Sequence, residues 1–115
     1  MSSPPKDPDS EGRKSERKRV LLGGRLIFEQ LGATAECRIK DLTREGARLV
    51  FTNEVMTPDT FEMIEQRNGV LYSCEVAWRK SREMGVIFHR QTELALATEG
   101  HEARMKRLWL DSLLR

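Results

Sequence analysis

Between Val20 and His89 the apolar residues of this chain come in short runs of period two, each closed by a turn signal. A half-buried β-strand has that period because successive side chains point to opposite faces, whereas an amphipathic helix repeats at three and four. Six such runs can be read, at 20–30, 35–40, 47–51, 61–65, 70–79 and 84–89. Ala35, Cys37 and Ile39 alternate with Glu36, Arg38 and Lys40, and Ala47, Leu49 and Phe51 repeat the pattern. The connections are too short for helical crossovers, so neighbouring strands must run antiparallel. A small sheet of this kind loses its exposed edges by curling into a barrel. Asn68-Gly69 predicts a two-residue hairpin, and the paired Gly23 and Gly24 inside the first run predict a bulge there.

After His89 the period changes. Met105, Trp109 and Leu113 form an i, i+4, i+8 stripe opposite Arg104, Arg107, Asp111 and Arg115, which predicts an amphipathic helix within about 92–115. The stripe is expected to be mostly core, with Trp109 packed on the barrel. The fold class is therefore mainly all-β, a six-stranded antiparallel β-barrel with a C-terminal α-helix, occupying 20–115.

The residues ahead of it differ in kind. Residues 1–12 hold three prolines and no apolar residue after Met1, so they read as a disordered tail. Residues 13–19 (RKSERKR) read as a basic linker. The whole 115-residue chain is nearly balanced, with 20 cations against 18 anions. Such a balance argues against a general attraction to nucleic acid or membrane and makes any anion site a local one. No apolar run is long enough to span a bilayer and the first residues carry no apolar leader, so a cytoplasmic address with no membrane partner is expected. Cys37 and Cys74 lie inside alternating runs and read as reduced core thiols.

Catalytic patterns are missing. The sequence has no phosphate-cradling glycine loop followed by lysine, no nucleophile elbow and no helical histidine pair, and His89 and His101 fall in different elements. A binding module with no metal and no catalytic residues is the expectation. Trp78 continues the face of Tyr72, Cys74 and Val76 and is expected in the core, with ligand stacking as the alternative.

Two polar features stand out, and each taken alone is unremarkable in kind. The turn Asp41-Leu42-Thr43-Arg44-Glu45-Gly46 has ordinary turn chemistry, and the basic linker is a solvated charge run. Taken together, and followed by Cys74-Glu75-Val76-Ala77-Trp78-Arg79 and Met84-Gly85-Val86-Ile87-Phe88, they resemble the PilZ domain family over about residues 13–90. The resemblance implies a six-stranded barrel with a C-terminal helix that acts as a receptor for cyclic di-GMP. The family reads this ligand with an Arg-x-x-x-Arg motif before the barrel and an Asp/Asn-x-Ser-x-x-Gly motif on its surface.

Carried over residue by residue, the resemblance implies a ligand-binding set of Arg13, Arg17, Arg19, Asp41, Thr43 and Gly46. Thr43 stands where serine is usual and keeps the hydroxyl. The arginine motif has two registers. Arg13 and Arg17 match it literally, whereas Arg19 occupies the place directly before the first strand and leaves Ser15 where the first arginine would be. The residue types suit the ligand, since a guanidinium can fork onto a phosphate or onto the O6/N7 edge of guanine. The resemblance thus implies a cyclic di-GMP-binding regulatory module that changes its surface on binding and signals to a protein partner, with cyclic di-GMP as ligand and no cofactor. A ligand-independent adaptor is the alternative. Nucleic-acid binding is disfavoured because no aromatic stacking platform is interleaved with the cations.

Overall fold

The computed structural model describes residues 18–114. Six strands, β1 (Lys18–Phe28), β2 (Ala33–Leu42), β3 (Gly46–Val50), β4 (Thr60–Glu65), β5 (Val70–Lys80) and β6 (Glu83–Glu93), precede one helix, α1 (Gly100–Leu113). The strands close into an antiparallel barrel in the order β1-β2-β3-β6-β5-β4. The expected architecture is present, with strand boundaries shifted by a few residues, and two of these shifts bear on the site and the helix. β1 takes in Lys18 and Arg19 from the basic run, and β6 continues to Glu93, so that α1 starts only at Gly100.

Period two builds the interior. Leu26, Ile39, Leu49 and Met63 are fully enclosed, one from each of four strands. Phe28 and Phe61 meet edge to face at 5.8 Å, and Tyr72 stacks on Phe88 at 4.0 Å. Cys37 and Cys74 are buried free thiols in this core, and burial pushes both up to about 12. They therefore stay protonated at neutral pH and pack as small hydrophobes. The predicted bulge at Gly23 and Gly24 is displaced: those glycines pair regularly with Arg38 and Cys37, and the irregularity falls between Arg19 and Leu22. Gly24 serves packing instead, because a Cβ there would lie 3.0 Å from the Cys37 sulfur.

A second apolar cluster lies outside the barrel, where Ile27, Ile64 and Leu71 meet Leu94 and Met105, with Trp109 against them. This contact seats α1. Burying side chains of this size contributes about 1.5 to 3 kcal/mol each. Leu113 does not share the contact and is 52% exposed. Four helical residues advance slightly more than a full turn, by about 40°, so an i, i+8 partner has drifted about 80° from Met105 and off the buried face.

The β4–β5 connection also differs from the predicted two-residue hairpin. Residues 66–69 form the turn, and of Asn68 and Gly69 only the glycine is left-handed, with φ of 69°. Glu65, 1% exposed, organises it by accepting from the Arg67 amide (2.6 Å) and the Asn68 side chain (2.8 Å). A buried carboxylate is tolerable when hydrogen bonds replace its water.

Candidate functional site

The register of the barrel sets one line of residues across five strands. Arg19 on β1 is paired with Asp41 on β2, Asp41 with Arg48 on β3, Arg48 with Gly85 on β6, and Gly85 with Trp78 on β5. Directly paired residues in an antiparallel sheet share a face, so Asp41, Arg48 and Trp78 lie on one side of the barrel wall. A register shift between Ile39 and Asp41 makes the alignment, since it brings Asp41 opposite Arg48.

Beside this line the turn between β2 and β3 is locked by its own threonine. Thr43 Oγ1 accepts from the amides of Glu45 (3.0 Å) and Gly46 (3.1 Å), while the Thr43 amide donates to the Gly46 carbonyl (2.9 Å). The hydroxyl that the sequence offers for a ligand thus holds the loop in shape. Gly46 is required by proximity, because a Cβ there would fall 2.1 Å from the Val86 carbonyl and push β3 from β6.

Asp41, Thr43, Gly46, Arg48, Trp78 and Gly85 surround a shallow pocket of about 300 Å³. The Asp41 side chain is 13% exposed and accepts from Arg48 Nε at 2.7 Å, and Arg48 Nη1 donates to Glu83 at 3.3 Å. These bonds, that to Asp41 foremost, raise the basicity of the Arg48 guanidinium further.

The structure brings Asp41, Thr43 and Gly46 together and aligns the backbone of Arg19 with them. Arg13 and Arg17 lie outside the described residues. Trp78 corrects the core expectation, being 43% exposed and lining the pocket. The reason is a bulge between Val76 and Trp78, where one extra residue reverses the facing of everything after it. Sequence reasoning missed Arg48 and Gly85. Arg48 was available as the outward residue between Ala47 and Leu49, but only strand register pairs it with Asp41.

A larger open groove of about 880 Å³ contains Phe28, Leu31, Met56, Phe61, His89 and His101 but none of the turn residues. Its histidines are already engaged, His101 with Glu62 at 2.7 Å and His89 with Glu75 at 2.6 Å. Among the described residues, no three His, Cys, Asp or Glu side chains converge as metal ligands would.

No family model matches the chain, and no curated protein matches its sequence. Solved structures do match its shape. The structure of the Bacillus subtilis inhibitor of motility, MotI/DgrA, a PilZ-domain protein, aligns with 91% of this chain at a TM-score of 0.54 and 10% identity. The barrel is PilZ-like. YcgR from Escherichia coli, solved in complex with c-di-GMP, aligns with 91% of this chain at a TM-score of 0.45 and 15% identity. The chain spans about half the length of these structures, 52% of the first and 47% of the second. The PilZ-like barrel places its β2–β3 turn and the Asp41-to-Trp78 line on one outer surface, next to the start of β1.

Proposed function

We propose that this PilZ-like domain binds cyclic di-GMP in the pocket beside the β2–β3 turn and signals through a protein partner rather than by catalysis. The observation that carries the reading is the cross-strand line of Arg19, Asp41, Arg48 and Trp78 beside a glycine-bounded turn. Cyclic di-GMP needs a carboxylate to accept from the N–H edge of a guanine, cations for its phosphates and a flat apolar surface for a guanine ring. That line supplies all of these types. In this reading the basic residues ahead of β1 supply further cations to the ligand, and binding changes the surface offered to the partner.

The alignment of Arg19 with Asp41 favours the register in which Arg19 is the second arginine of the motif and Ser15 replaces the first. Calorimetric titration with cyclic di-GMP tests the reading. Micromolar binding is expected, lost in Asp41→Ala and kept in Thr43→Ser, which retains the turn-locking hydroxyl. Arg19→Ala should weaken binding more than Arg17→Ala, whereas equal dominance of Arg13 and Arg17 would support the literal motif. If the wild-type chain gives no heat, the adaptor reading replaces this one. It is favoured by a single observation, the apolar end of α1, where Leu110, Leu113 and Leu114 are 43%, 52% and 85% exposed.

A further inference from the structure

Arg48 lies in the pocket but in neither of the two sequence motifs, and its surroundings are unusual for a surface arginine. It is the one cation among the described residues lining the pocket, beside Asp41. A ligand carrying two phosphates needs a cationic partner on this wall, and Arg48 is the described lining residue that can supply one. Arg48 is held from two sides, through Nε by Asp41 at 2.7 Å and through Nη1 by Glu83 at 3.3 Å. A guanidinium has five N–H donors in a rigid plane, so two anchors leave the rest of its edge available. No described residue accepts from Nη2. The neighbour in register on the far side is Gly85, over which the Trp78 ring lies, so the guanidinium and the indole line the same pocket.

We infer that Arg48 is a preplaced phosphate-binding residue of this site, gripping a ligand phosphate through its Nη edge while Nε keeps Asp41 aligned for the base. The inference rests on the cyclic di-GMP reading above. It explains how the site can hold a doubly anionic ligand with Ser15 where an arginine would stand. Anchoring by two carboxylates fixes the long side chain before the ligand arrives, so less freedom is lost on binding than with a mobile lysine.

The test is calorimetric titration of the full chain with cyclic di-GMP at low and high salt, comparing wild type with Arg48→Met and Arg48→Lys, alongside thermal melts. Arg48→Met should weaken binding about tenfold to a hundredfold, the effect of losing one charge-assisted contact. Its affinity should also depend less on salt than that of the wild type, because one ion contact is gone. Arg48→Lys, which keeps charge without the fork, should fall between them and serves as the reporter should the methionine variant not fold. Affinity unchanged in both variants overturns the assignment alone. A loss of the same size at every salt concentration overturns it too, since Arg48 would then merely orient Asp41. No heat with the wild type removes the cyclic di-GMP reading and this assignment together.

Discussion

Two tryptophans in this domain lie over glycines, and the two contacts serve different ends. Trp109 of α1 covers Gly69 at the β4–β5 turn, so closely that a Cβ on the glycine would lie 2.4 Å from the ring. Trp78 of β5 covers Gly85 of β6, where the corresponding distance is 2.0 Å. The surroundings differ. Trp109 donates its indole N–H to the Gln66 carbonyl at 2.7 Å and packs on the cluster of Ile64, Leu94 and Met105. Trp78 is 43% exposed, and no described residue accepts its N–H. A ring packed on an apolar cluster with its polar atom satisfied stabilises the fold, whereas a ring supported from below and open above is a surface for something else to stack on. Close packing against glycine is therefore no guide to role; what lies over the other face of the ring is.

The largest expected effect is at the closed pair. Gly69→Ala must displace the Trp109 ring and also place a Cβ on a left-handed backbone, φ 69°. Overpacking costs about 1 to 3 kcal/mol and the backbone conformation about 1 kcal/mol more, so a loss near 3 kcal/mol is expected in denaturant unfolding. A change below about 1 kcal/mol, the range of ordinary surface substitutions, would show that α1 gives way freely and contributes little to holding the barrel.

How far the sequence discloses these two contacts follows from their range. The barrel itself is legible because period two is a local property, and Asp41, Thr43 and Gly46 are legible because a turn is built from neighbours. Trp109 is legible as one side of a helical stripe. Trp78 is not, because the bulge between Val76 and Trp78 adds one residue to β5, and nothing in the alternation of Tyr72, Cys74 and Val76 announces it. Arg48 and Gly85 escape for a related reason. Their roles depend on which residues the strands bring opposite each other, set by the shift between Ile39 and Asp41 and by the β3–β6 register. The site residues hidden in the sequence are thus those defined across strands.

The open pair should show the reverse pattern. Trp78→Ala removes a half-exposed ring, so stability should change by no more than about 1 kcal/mol, while base stacking on an aromatic is worth about 1 to 3 kcal/mol. Cyclic di-GMP affinity should then fall about tenfold to a hundredfold, and Trp78→Phe should recover most of it. Full affinity in Trp78→Ala, measured by titration, would mean that the exposed indole is not the stacking surface.

Gly85→Ala sharpens the comparison because it makes the same chemical change as Gly69→Ala under the other set of constraints. Gly85 is not left-handed, so alanine fits the backbone, and a glycine inside a strand already costs about 0.5 to 1 kcal/mol relative to alanine. The new methyl cannot stay where the Trp78 ring lies, but that ring is open to solvent and has room to swing outward. Unfolding stability should therefore stay within about 1 kcal/mol of wild type, unlike that of Gly69→Ala. Ligand affinity should fall about tenfold, since the displaced ring no longer lies beside Arg48, and stacking carries about 1 to 3 kcal/mol. The double variant Gly85→Ala/Trp78→Ala should bind no more weakly than Trp78→Ala alone, because both changes act through the same ring. A stability loss matching that of Gly69→Ala would show that Trp78 is clamped in place, and a further drop in the double variant would show that Gly85 meets the ligand by itself; either result would end the distinction between the two pairs.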